Sequence, residues 1–110
     1  MEEKLPITYD DFAKLNICVG VILSAELVPG SDKLLKTEVD IGEERPRQIL
    51  AGIQKSYDPV SLIGRRVVVL TNLLPKKMMG LFSEGMLLAC GEEQVELLEP
   101  PNVSVGSRIR

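Results

Sequence analysis

A chain of 110 residues with 45% hydrophobic and 26% charged side chains suits one domain with a modest core, and it excludes a disordered tail. No apolar run approaches the roughly 18–20 residues that span a bilayer, and the opening MEEKLPITYDDF lacks the apolar centre of a secretory signal, so a cytoplasmic protein without membrane attachment is expected. The net charge of −3 hides a basic middle: residues 31–82 hold nine basic against six acidic groups, while 1–30 and 83–110 each hold two against five.

ITYDDFAKL offers Thr8 as an N-cap with Asp11 three residues on, a shortened capping box that predicts a brief helix packing Phe12 and Leu15 inward. ICVGVILSAELV (17–28) is a β-branched run interrupted by Gly20, as in a strand that bends sharply there. PGSDK (29–33) is a turn. LLKTEVDI (34–41) then alternates Leu35, Thr37, Val39 and Ile41 with Leu34, Lys36, Glu38 and Asp40, the pattern of a half-buried strand. GEERPR, punctuated by Gly42 and Pro46, turns the chain into QILAGI (48–53). In YDPVSLIG, Asp58 is an N-cap, Pro59 the first helical residue and Gly64 the residue past the end, which predicts one or two helical turns. RRVVVLTNL (65–73) and GMLLAC (85–90) read as strands joined by a loop, LPKKMMGLFSE, and QVELLEP and VGSRIR as shorter trailing strands.

Short strands at close spacing, with one helix between the third and fourth main strands, predict an all-β, five-stranded Greek-key barrel of the OB type. One domain over 1–110 is expected, with an N-terminal extension at 1–15 that carries the short helix and a C-terminal extension at 91–110 that serves as a dimer contact. In such a barrel the 1–2 and 4–5 loops, here PGSDK and LPKKMMGLFSE, flank one binding face.

That second loop gathers chemistry. Pro75 stiffens its entry, Lys76 and Lys77 supply point charges, Gly80 permits a tight backbone approach, and the preceding strand delivers Asn72 to the same rim. Lysines match phosphate oxygens, whereas Asn72 and Ser83 can hydrogen-bond a base or ribose edge. Met78, Met79 and Met86 suit either an adaptable surface beneath an unstacked base or a simple cap on the barrel. Tyr9, Tyr57, Phe12 and Phe82 are the whole aromatic set, so phosphate and shape reading should outweigh stacking. Cys18 and Cys90 lie in apolar runs, and the chain has no histidine, so buried thiols are expected rather than a metal site or cofactor. Without histidine, and with no Gly-rich phosphate loop or G-x-S-x-G elbow, hydrolase or transferase chemistry lacks a nucleophile and base.

The series GSDKLLKTEVDIGEE, AGIQKSYDP and LIGRRVVVLTNLLPKKMMGLFSEGMLLA resembles the tRNA-binding domain family. That family includes the C-terminal domain of bacterial methionyl-tRNA synthetase, stand-alone structure-specific tRNA-binding proteins and the endothelial monocyte-activating polypeptide domain. The likeness runs from Asp11 to Ala89. It implies an OB-fold with terminal extensions, a homodimer, and non-catalytic binding to the outer corner of tRNA, with an aminoacyl-tRNA synthetase as a further partner. Residue by residue, it places Lys33 at the 1–2 loop as a tRNA contact, Asn72, Lys76 and Lys77 in the Asn-Leu-x-Pro-basic-Lys segment, and Ser83 and Met86 in SEGM; Lys36, in the strand that follows the loop, is expected to join the lysines on phosphates. Many members read Asp-Ile-Arg-Val-Gly where this chain has NICVG, so Asn16 and Cys18 replace an aspartate and an arginine. A related branch of the same fold implies the alternative, a homodimeric protein-binding chaperone.

Overall fold

The computed structural model describes residues 3–110, so residues 1 and 2 of the expected N-terminal extension lie outside the described residues. The elements in chain order are α1 (Tyr9–Ala13), β1 (Ile17–Leu27), β2 (Leu35–Asp40), β3 (Arg47–Ala51), α2 (Pro59–Leu62), β4 (Arg66–Leu70), β5 (Lys76–Met78), β6 (Leu81–Ser83), β7 (Met86–Leu87), β8 (Ala89–Cys90) and β9 (Glu96–Leu97). A five-stranded antiparallel sheet runs β3-β2-β1-β4-β7, and β3 also packs against β6 and β7. The sheet thereby curls into a nearly closed five-stranded barrel, the all-β OB-type architecture.

The core follows the alternation in the sequence. Leu35, Thr37 and Val39 of β2 are fully buried, as are Ile22, Ile49, Val67 and Val69 from the strands around them. Thr37 is tolerated there because its hydroxyl donates to Ile49 O at 2.8 Å. Helix α2 begins where Asp58 accepts from Val60 N with Pro59 inside the first turn, and it sends Leu62 into the core, a burial that stabilises by about 1.5–3 kcal/mol.

Several expectations change. The register shift in β1 falls between Ile22 and Ser24, two residues past Gly20, and Gly20 is needed because a Cβ would stand 2.7 Å from Val39 Cγ1 and 3.1 Å from Asp40 O. Thr8 and Asp11 do form the capping box, but α1 buries no residue and Leu15 remains 41% exposed, since the helix lies outside the barrel. Segment 85–90 splits into β7, inside the barrel sheet, and β8, which pairs with β9 instead. That break leaves Cys90 exposed while Cys18 stays buried.

The C-terminal segment completes the barrel rather than trailing from it. β2 pairs only with residues 21–27 of β1, which leaves the start of that strand with a bare edge. Gly106 N donates to Val19 O at 2.7 Å, Val19 N to Ser107 O at 2.9 Å and Ile109 N to Ile17 O at 2.9 Å, covering it.

Candidate nucleic-acid interface

The stretch 75–83, expected as a loop, is a β-hairpin: Lys76 pairs with Ser83, Lys77 with Phe82 and Met78 with Leu81. Its two-residue turn, Met79–Gly80, has positive φ at both positions (50° and 80°), the signature of the I′ turn that matches strand twist. The hairpin tip reaches the β1–β2 turn, where a Cβ on Gly30 would lie 3.3 Å from Met79 Cε, and Leu81 shares a cleft with Pro29 and Lys36. The two loops named from the sequence therefore meet at one end of the barrel.

Alternation divides the hairpin's side chains. Lys76, Met78 and Ser83 line a mainly apolar cleft of about 430 Å³, together with Leu50 to Ile53, Leu74 and Met86. Lys77 and Phe82 belong to the other face, where Lys77 Nζ stands 5.9 Å from the Phe82 ring centroid. Lys33 is exposed in the β1–β2 turn; its backbone is held where its N–H donates to Ser31 Oγ and its carbonyl accepts from Gln54 N at 3.1 Å.

The remaining predicted residues have partners inside the protein. Lys36 sits opposite Glu26 and forms a 2.6 Å ion pair with it, and the hydrogen bond to that carboxylate raises the lysine pKa above its usual value. Asn72 is exposed, yet Nδ2 donates to Lys14 O at 2.7 Å and Oδ1 accepts from Asn16 N at 2.8 Å, so it clasps the end of α1 to the end of β4. Ser83 is buried; its Oγ accepts from Leu50 N and donates to Gly85 O, both at 3.0 Å, bridging β3 to the β6–β7 turn. Met86 is 50% exposed on the cleft wall.

Barrel closure beneath this surface depends on groups that the sequence did not single out. Glu84 N donates to Gln48 O at 2.8 Å, while the Glu84 carboxylate accepts from Gln48 N and pairs with Arg45. Arg47 donates to Thr71 O, to Glu84 O and twice to Glu43. Both carboxyls are held below their usual pKa, Glu84 first by the Gln48 N–H and Glu43 first by the Arg47 guanidinium. Position 18, where an arginine was expected from the resemblance, faces inward: Cys18 belongs to the core cluster, and burial pushes its thiol pKa up against the opposing field of Arg47. Leu74 was not singled out in the sequence, although it is 91% exposed, and Phe82, weighed there only as one of four aromatics, is 55% exposed.

A family model described as a "Putative tRNA binding domain" matches residues 17–108. The methionine-tRNA ligase of Methanococcoides burtonii is 57% identical over 76% of this chain and 12% of its own length. The chain spans 12% to 17% of the curated methionine-tRNA ligases it matches. Among solved structures, a MetRS-related protein from Pyrococcus horikoshii superposes with a TM-score of 0.90 at 34% identity, covering 97% of this chain and 100% of that one. The chaperone CsaA from Bacillus anthracis superposes with a TM-score of 0.86 at 31% identity, covering 96% and 100%. On the match across 17–108 the chain belongs to the tRNA-binding domain family.

Proposed function

We propose that this chain is a non-catalytic module that binds tRNA by its folded shape through phosphate contacts, either in trans or as a detached tRNA-binding subunit of a methionyl-tRNA synthetase. The observation that carries this reading is the meeting of the Lys76–Lys77 hairpin with the turn that presents Lys33, beside the cleft walled by Met86. Lys33, Lys76 and Lys77 make no ion pair with a described residue, so their charge is available to an anion. Lys36 joins them when phosphate displaces Glu26, and Asn72 and Ser83 act at the rim through the backbone that they fix. The cytoplasm is the site of action that such a ligand implies.

A homodimer belongs to the same proposal. Leu5 and Ile7 ahead of α1 and Tyr9 at its start are 90%, 67% and 75% exposed, apolar side chains for which a second subunit is the natural cover. Removing residues 1–12 should give monomers by sedimentation; an unchanged mass would refute that contact.

Filter binding of a mixed tRNA pool across a salt series tests the main reading. Four lysine–phosphate contacts give a slope of log affinity on log salt of roughly −3, and the Lys76→Ala/Lys77→Ala double variant should flatten it by about 1.5. No retention at low salt, or a flat response, overturns the proposal. The second reading, a protein-binding chaperone, is favoured by the apolar lining of the 430 Å³ cleft and the likeness to CsaA. Suppression of client aggregation that tRNA does not compete away would support it.

A further inference from the structure

We propose that Phe82 is a nucleobase platform, and that an unpaired base of the bound tRNA stacks on its ring while Lys77 and Arg45 meet the adjoining phosphates. This rests on the tRNA-binding reading and adds a second surface to it, on the hairpin face opposite the Met86 cleft. The ring is 55% exposed on a two-stranded hairpin, outside the buried core. Its position is nevertheless fixed. The Phe82 carbonyl accepts from Gln48 Nε2 at 2.9 Å, Lys77 stands directly opposite in the ladder, and the next residue, Ser83, is anchored in the barrel wall.

The surroundings fit a base and its phosphate. Phe82 borders an open cleft of about 660 Å³ whose other walls include Pro46, Pro75 and Arg45, flat or planar groups that pack against a heterocycle. The Arg45 side chain is 76% exposed despite its 3.2 Å contact with Glu84. Glu38 and Glu84 also line the cleft, but Glu84 is engaged by Arg45 and Gln48 N, and Glu38 accepts from Ser24 Oγ. Lys77 covers the ring in the unliganded protein at a distance typical of a cation–π contact. A lysine is a mobile point charge, so a base takes its place over the ring and the ammonium moves to the phosphate.

The test compares Phe82→Ala, Phe82→Leu and Phe82→Trp in the full chain, each checked by thermal unfolding and sedimentation. Because the ring is outside the core and the structural contacts at this position are made by its backbone, all three should unfold within a few degrees of the parent. Phe82→Ala and Phe82→Leu should weaken tRNA binding on the order of tenfold with an unchanged salt slope, the loss typical of one stacked base. The protein has no tryptophan, so Phe82→Trp supplies a single indole; it should keep parental affinity, and its emission should be quenched by tRNA but not by inorganic polyphosphate. Parental affinity in Phe82→Leu, or equal quenching by polyphosphate, overturns the inference and leaves the tRNA reading standing. Absence of tRNA binding by the parent overturns both. A change of oligomer mass with affinity intact would instead give the ring to a second copy of the chain.

Discussion

Replacing Ser83 by alanine separates a residue that touches RNA from one that closes the barrel. The Oγ accepts from the N–H of Leu50, a residue only 5% exposed, and donates to Gly85 O. Alanine leaves that N–H buried without an acceptor, which costs about 1–3 kcal/mol, while the space left by one oxygen is too small to add much. Taking about 2 kcal/mol, and an unfolding entropy of about 2.1 cal/mol/K per residue over this chain length, the Tm should fall by about 9 °C. Far-UV circular dichroism melts of parent and variant, with tRNA affinity measured well below either midpoint, provide the assay. Affinity should change by less than a factor of about three, since the hydroxyl is already committed on both sides. A Tm shift under about 2 °C together with a tenfold loss of tRNA would refute the reasoning and assign the hydroxyl to the nucleic acid.

Asn72→Ala should release α1 from the end of β4 by removing the bonds to Lys14 O and Asn16 N. Two surface-accessible hydrogen bonds predict a loss of about 1–2 kcal/mol, seen in urea unfolding, and hydrogen exchange at the Asn16 N–H should rise; an unchanged exchange rate would refute the clasp. Stability should also fall in acid. Glu43 and Glu84 have pKa values lowered from 4.5, so their contribution is present above that value and is lost as pH drops below it through the lowered folded values. Urea midpoints from pH 6 to 3 should therefore decline, and Glu84→Gln should flatten the acid limb; an unchanged limb would remove Glu84 from barrel closure.

Where a cap or an alternation carried the information, local structure was legible. Asp58, Pro59 and Gly64 bracket α2, Thr8 and Asp11 start α1, and the β2 alternation places Leu35, Thr37 and Val39 inside. The β5–β6 hairpin was not legible, because its turn is Met-Gly rather than Asn-Gly. A methionine at φ 50° pays a local strain of about 1–2 kcal/mol that only tertiary packing explains, here the contact of its Cε with the Gly30 turn. Gly20 was only half legible for a related reason: a glycine inside a strand signals either a bend or a close neighbour, and Val39 is far away in sequence. At the proposed interface, residue type singled out the lysines as candidates, but which of them were already paired depended on register. Lys36 lies opposite Glu26 only because β1 and β2 pair with a shift at Leu23.

That dependence on register explains how an acidic chain presents a usable positive end. Every arginine in the basic middle segment donates to the protein itself: Arg45 to Glu84, Arg47 to Glu43, Thr71 and Glu84, Arg65 to Ser61 and Glu99, and Arg66 to Val103 O. A planar fork with several donors suits that task, because one side chain can satisfy carbonyls from separate strand ends at once. The lysines at the hairpin and the 1–2 turn take no such role and keep their charge toward solvent. Arginines thus join the barrel ends, and Lys33, Lys76 and Lys77 remain as mobile point charges at the hairpin and the 1–2 turn, as the proposed phosphate contacts require. Swapping the types would disturb both tasks: arginine at 76 and 77 would favour a fixed bidentate geometry, and lysine at 47 would lose the simultaneous contacts with Glu43, Thr71 and Glu84 that hold the hairpin's base in place.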